Sequence, residues 1–182
     1  MPHFRPLNRR HLMPPKILLS ACLAGFNVRY NASSKTVIDT TLQQWQKEGR
    51  LVVCCPELAA GFSTPRPPAE IAAAANGAEV IADQARVIDA QGNDVTAQYL
   101  LGAHLALDTA RLHGCRFALL SDRSPSCGSQ TIYNGAFNGQ TQPGSGVTAE
   151  LLRQHGIEVF SEHQVDALIE RVRLVELGQT IR

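Results

Sequence analysis

The chain has 182 residues, 44% of them hydrophobic and 18% charged, with a formal net charge of +1. That is room for one domain with its own core, and an ordinary balance for a soluble globular protein. No stretch approaches the length of a transmembrane span, and the charge is uneven: residues 1–38 hold Arg5, Arg9, Arg10, Lys16, Arg29 and Lys35 and no acid, so the remainder sums to −5.

The start, "NRRHLMPPKILLSAC", imitates a bacterial lipoprotein signal. A signal's apolar region needs about 7–15 residues, yet Lys16 leaves only "ILLSA" before Cys22. Both membrane readings are rejected. Residues 1–15 are expected to form a basic, flexible arm, and residues 16–182 a single α/β domain.

"KILLSA" (16–21) reads as a short buried strand. From Thr36 to Glu48, Ile38, Leu42 and Trp45 recur at helical spacing, and Gly49 closes the segment. "RLVVC" (50–54) is a second strand, and "CPELAAGFSTPRPPAE" (55–70) is too rich in proline for regular structure. "ARVIDAQGNDVT" reads as a strand ending in a turn at Gly92 and Asn93, with Asp94 as the N-cap of a helix that runs to His113. Tyr99, Ala103, Ala106 and Ala110 share one face of that helix, and Gly114 ends it. "CRFALLS" (115–121) is the third clear strand. Residues 122–146 form a long loop with five glycines, and loops of that length in compact domains carry function or are disordered. Val147 to His155 is helical and Ile157 to Phe160 a strand. Ser161 and Gln164 form a capping box, and the last helix places Val165, Leu168, Ile169 and Val172 on one face. Strands alternating with amphipathic segments predict an open, largely parallel sheet flanked by helices, a Rossmann-like three-layer α/β fold.

The five cysteines (Cys22, Cys54, Cys55, Cys115 and Cys127) lack the even, dense spacing of a secreted disulfide scaffold. Reduced thiols in the cytoplasm are the expectation. Cys22, Cys55 and Cys127 each follow a predicted strand. In an open parallel sheet the carboxyl ends of the strands share one edge, where ligands bind, so these three thiols belong on the same side of the molecule. Cys54 and Cys55 are neighbours on a strand and face opposite ways; Cys55, adjoining Pro56, is the better ligand. Cys115 begins its strand at the far end and reads as a small buried hydrophobe.

Three convergent thiolates point to a soft-metal site, whether zinc, copper(I) or an iron–sulfur cluster; three unrelated buried cysteines are the bland alternative. Four ligands complete a structural site, whereas three leave a position open for substrate. Glu57 follows Cys55 by two residues and Ser124 precedes Cys127 by three, so both belong beside such a site. A carboxylate there is a candidate general base and a hydroxyl a candidate proton relay; a surface salt bridge and a turn-stabilising side chain are the structural alternatives. Arg66 and Ser126 are the candidate substrate-binding residues, Arg66 for a carbonyl or phosphate unless it forms a structural salt bridge. "GSG" (144–146) before a helix start either binds an anion on free N–H groups or is a flexible turn. The six histidines show no ligand spacing.

"ILLSACLAG", "VRYN", "VVCCPELAAGFSTPRPPAEI", "VIDAQGNDVT", "SPSCGSQTIYNGAFNG" and "GVTAELLRQHGIEVFSE", in this order from about residue 16 to 162, resemble the thiouracil desulfidase family, a domain formerly of unknown function. The resemblance implies a 4Fe–4S cluster held by Cys22, Cys55 and Cys127, with one iron open to a substrate sulfur. It also implies a catalytic glutamate at Glu57 and a catalytic serine at Ser124. The activity implied is non-redox: the thiocarbonyl of a small thiolated pyrimidine becomes a carbonyl and hydrogen sulfide leaves.

Many relatives carry a further cysteine and an Asp-Gly where this chain reads "NVRYNAS", with Val28, Asn31 and Ala32. Val28 cannot bind iron, so the three-cysteine assignment stands while that loop's substrate contacts are left open. Some relatives add a carboxy-terminal domain and act on thiolated transfer RNA; this chain stops at 182, which favours a small molecule over nucleic acid. Two other classes remain at this point, a three-cysteine zinc hydrolase and a non-catalytic iron–sulfur sensor or storage protein. Oligomeric state is not legible.

Overall fold

A computed structural model describes residues 13–181. Most of the expected amino-terminal arm lies outside them. Its last residue, Pro15, is buried and accepts a hydrogen bond from Arg50 Nε at 3.1 Å.

Four strands make the central sheet in the order β2 (Leu51–Cys54), β1 (Lys16–Ser20), β5 (Cys115–Leu120) and β8 (Glu158–Ser161). Every pairing is parallel, with Leu19 opposite Val53 and Leu119, and Leu119 opposite Phe160. Both faces of the sheet are covered, which is why "KILLS" and "CRFALL" are continuous apolar runs rather than alternating ones. Alternation assigns their side chains to two layers. Leu18, Ala118 and Leu120 pack with Tyr99, Ala103, Ala106, Ala110, Leu151 and Leu152, whereas Ile17, Leu19, Phe117 and Leu119 pack with Leu42, Trp45, Leu168 and Val172. The first layer carries α4 (Thr96–Leu112) and α5 (Val147–Gln154), and the second α1 (Thr40–Lys47) and α6 (Val165–Ile181). The expected parallel three-layer architecture is therefore the observed one.

Local expectations needed four corrections. Helix α1 starts at Thr40, because the Asp39 carboxylate caps the amides of Thr41 and Leu42 at 2.8 and 3.0 Å. Ile38 is thus left outside the helix, 84% exposed. The proline-rich stretch holds a one-turn helix, α2 (Pro56–Ala59), which Pro56 starts because its missing N–H costs nothing at a first helical position. The same stretch ends in β3 (Ala69–Ile71), antiparallel to β4 (Val87–Asp89), with the short helix α3 (Gly77–Ile81) between them. The long glycine-rich loop holds a second antiparallel pair, β6 (Thr131–Tyr133) and β7 (Thr141–Pro143). Asp94 acts one residue before the N-cap of α4, its Oδ1 accepting from the amide and hydroxyl of Thr96 at 3.0 and 2.6 Å. The Ser161–Gln164 capping box forms as expected.

Helices α2 and α4 touch at Gly102. A Cβ there would lie 2.6 Å from the carbonyl oxygen of Pro56 and 3.1 Å from its carbon, so the contact exists only because the side chain is absent. Ordinarily Gly→Ala inside a helix stabilises by up to about 1 kcal/mol. Gly178 in α6, with nothing near its missing Cβ, should follow that rule; Gly102 should reverse it. Thermal unfolding of the two alanine variants is expected to move the midpoint up for Gly178→Ala and down for Gly102→Ala, by roughly 2–4 °C per kcal/mol in a chain of this size.

Candidate active site

Cys22, Cys55 and Cys127 line one cavity of about 340 Å³ at the carboxyl edge of the sheet, together with Glu57, Arg66 and Ser124. Cys22 lies in the turn after β1, which Ala21 N ties to Cys54 O at 2.9 Å. The ends of β1 and β5 are joined where Ser121 N donates to Ser20 Oγ at 3.1 Å. Cys55 is the last extended residue before α2, so Glu57 follows within the first turn.

The Cys127 loop is held from several sides. Asp122 Oδ1 accepts the amides of Ser129, Gln130 and Thr131, each at 3.1 Å, and Oδ2 accepts the Thr131 hydroxyl at 3.0 Å. Burial alone would raise the Asp122 carboxyl, but these donors outweigh it and hold it below the ordinary carboxylate range. Ser124 Oγ accepts from the amides of Ser126 and Cys127 at 3.0 and 3.2 Å. Gly128 closes the turn where a Cβ would meet the carbonyls of Thr131 and Ser124 at 2.6 and 2.7 Å.

The amino end of α5 completes the grip, in place of the anion site considered for "GSG". Val147 N donates to Pro125 O at 2.8 Å, Thr148 N to Ser126 O at 2.9 Å, and Gly146 N to Gly128 O at 2.8 Å. These amides are spent on the loop.

The thiols sense one another. Cys127 is pushed far above the ordinary thiol range by burial, then by the charges of Cys55, Glu57 and Cys22. Cys55 is raised chiefly by burial, against an opposing Leu58 amide, and Cys22 by burial and by Cys55. Cys54 also borders the cavity, which strand alternation had not led us to expect, but its charge neighbour is Cys55 alone and burial lifts it to about 11. Cys115 is away from the site, beside Lys16, and likewise reaches about 11 through burial.

Three thiols on one cavity, Cys22 and Cys127 buried and Cys55 partly so, that repel one another as thiolates suit a soft cationic partner, so the donor set fits an iron–sulfur cluster. Among the described residues no three Cys, His, Asp or Glu side chains close around a single ion. A cluster spreads its thiolates over separate irons.

Glu57 is gripped at both oxygens. Oε2 forms an ion pair with Arg66 Nη2, and Oε1 accepts from Tyr99 Oη at 2.6 Å. Arg66 is buried and also donates to Ser63 O, Thr64 Oγ1 and Val28 O at 3.1, 3.3 and 2.9 Å. The salt bridge expected as the structural alternative is present, and both Nη atoms donate to the protein, while Nε is buried without a hydrogen-bond partner. Ser126 is not among the cavity-lining residues: it is buried, and its hydroxyl pairs with Thr148 Oγ1 at 2.8 Å.

Tyr99 was read from the sequence only as a core residue. It is 4% exposed, and its phenol is raised strongly by burial, then by Glu57's charge and hydrogen bond, so it keeps its proton and donates. The available signal was a tyrosine on an alanine face, since a buried phenol needs a partner. The "NVRYNAS" segment puts Val28, Arg29 and Tyr30 on the cavity wall, which Tyr133 and Phe137 also line.

The chain matches the family described as 2-thiouracil desulfurase over residues 17–164. It is 42% identical over 153 residues to YbbK of Bacillus subtilis (strain 168), itself uncharacterised, covering 84% of this chain and 99% of that protein. A solved structure of TudS, a [4Fe-4S]-dependent thiouracil desulfidase, superposes with a TM-score of 0.79 at 47% identity, covering 88% of this chain and 99% of that one. A cavity bearing three strand-end thiols and a gripped glutamate thus lies within a chain that belongs to the 2-thiouracil desulfurase family.

Proposed function

We propose that this protein is an iron–sulfur-dependent desulfidase that converts the thiocarbonyl of a small thiolated pyrimidine to a carbonyl and releases hydrogen sulfide. The observation that carries this is the meeting of Cys22, Cys55 and Cys127 with Glu57 in one cavity, in a chain 47% identical to a [4Fe-4S]-dependent thiouracil desulfidase. The three cysteines would hold a [4Fe–4S] cluster, which supplies a Lewis-acidic iron able to polarise a thiocarbonyl. The reaction exchanges sulfur for the oxygen of water: a carbon–oxygen bond forms, a carbon–sulfur bond breaks, and both protons of water leave with sulfide. No oxidant or reductant enters.

Glu57 takes a proton from the attacking water at a carboxylate oxygen. Arg66 and Tyr99 each use one lone-pair site and leave others facing the cavity. Ser124 donates. Its oxygen already accepts two amides, so its single O–H is left for the departing sulfur. Tyr30, Tyr133 and Phe137 supply flat apolar walls for a pyrimidine ring. We place the protein in a reducing, cytoplasmic compartment: all five cysteines are free, and a thiolate-held cluster needs them reduced. A non-catalytic sensor would need neither Glu57 nor Ser124.

Two measurements test this. Cys22→Ser, Cys55→Ser and Cys127→Ser should each lose iron and sulfide content and the brown absorption after anaerobic reconstitution, while Cys54→Ser and Cys115→Ser keep them. Cluster loss in Cys54→Ser with retention in Cys55→Ser would reassign the ligand. Glu57→Gln should lower sulfide release from thiouracil by about 10³-fold, or about 4 kcal/mol of barrier, with cluster content unchanged. Turnover at the wild-type rate in that variant would remove Glu57 from the mechanism.

A further inference from the structure

The proton-transfer roles above use Glu57 and Ser124 and leave Tyr99 unexplained. Its hydroxyl donates to Glu57 Oε1 at 2.6 Å, and its ring packs on Phe62 with centroids 5.1 Å apart at a 56° tilt. Glu57 itself stands on a helix of four residues, too short to orient a carboxylate by its own hydrogen bonds. Orientation must come from what that helix touches. Helix α4 lies against it through Gly102, where a Cβ would sit 2.6 Å from Pro56 O. Tyr99 precedes Gly102 by three residues and so shares its face. The close approach that Gly102 permits is therefore what brings the phenol within reach of Glu57. Arg66 fixes the other oxygen, Oε2, and two donors on two oxygens set the plane of the carboxylate.

Resting on the reading that Glu57 moves the proton, we infer that Tyr99 is a positioning residue of the desulfidation. Its hydroxyl holds Glu57 Oε1 so that the remaining lone pairs of the carboxylate face the cavity. A hydroxyl that only satisfied its own burial would contribute to stability and leave the rate of the folded, loaded enzyme untouched.

Tyr99→Phe keeps the ring and deletes the donor. Hydrogen bonds to charged groups contribute about 1.5–3 kcal/mol, equivalent to roughly 10–100-fold in rate. Steady-state sulfide release from thiouracil, measured well below the unfolding midpoint, is expected to show kcat per cluster lower by about 10–100-fold, with KM within about twofold and iron content near wild type, while the lost hydrogen bond lowers the midpoint by about 3–12 °C. A kcat within about twofold of wild type overturns the assignment, and so does a loss that disappears once rates are normalised to cluster content. Failure of the wild-type protein to release sulfide overturns the function itself and Tyr99's part with it. Wild-type turnover with an unimpaired Tyr99→Phe overturns Tyr99 alone.

Discussion

Three thiols around one small cavity cannot all ionise in the bare protein, because burial and mutual repulsion both favour the protonated form. Cys127 is raised well above the ordinary thiol range by burial and feels Cys55, Glu57 and Cys22 together. Only a cation reverses that preference, so occupation of the site and release of the thiol protons are one linked event. The rest of the molecule holds the Cys127 loop through its own hydrogen bonds. Asp122 gathers three amides of the Cys127 loop, and the amino end of α5 holds three of its carbonyls. The Cys127 loop is thus arranged by hydrogen bonds made within the protein.

What the sequence made legible were the features that local pattern encodes. Buried strands announce themselves as apolar runs, and in a parallel sheet their carboxyl ends must share an edge. That placed Cys22, Cys55 and Cys127 together although more than thirty residues separate each from the next. The misses are of another kind. Proline and glycine in residues 55–70 and 122–146 obscured α2 and the β6–β7 pair, because Pro56 starts a helix as readily as it breaks one. Ile38 matched the helical spacing but lost to the Asp39 cap. The amides before α5 looked free because their acceptors, Pro125 and Ser126, lie about twenty residues away along the chain. Tyr99 matched an apolar face so well that its hydroxyl drew no attention.

Each ligand loop also carries something besides its cysteine. The Cys55 turn carries Glu57 and the Cys127 turn carries Ser124, so the proposed proton carriers ride on the same backbone as the proposed ligands. The Cys22 loop carries Val28 and Tyr30, and it is tied to the Cys55 turn through Arg66. Arg66 N donates to Tyr30 O at 2.8 Å, its Nη2 reaches Val28 O at 2.9 Å, and the same guanidinium pairs with Glu57. Such a buried pair is costly to break from one side, since the partner left behind is an uncompensated charge. The wall segment bearing Val28 and Tyr30 is thereby fastened to the glutamate by backbone carbonyls, whose hydrogen bonding does not depend on side-chain identity. Substitutions along "NVRYNAS" can therefore change the side chains on the cavity wall while leaving the backbone contacts to Arg66, and with them the anchor of Glu57, in place.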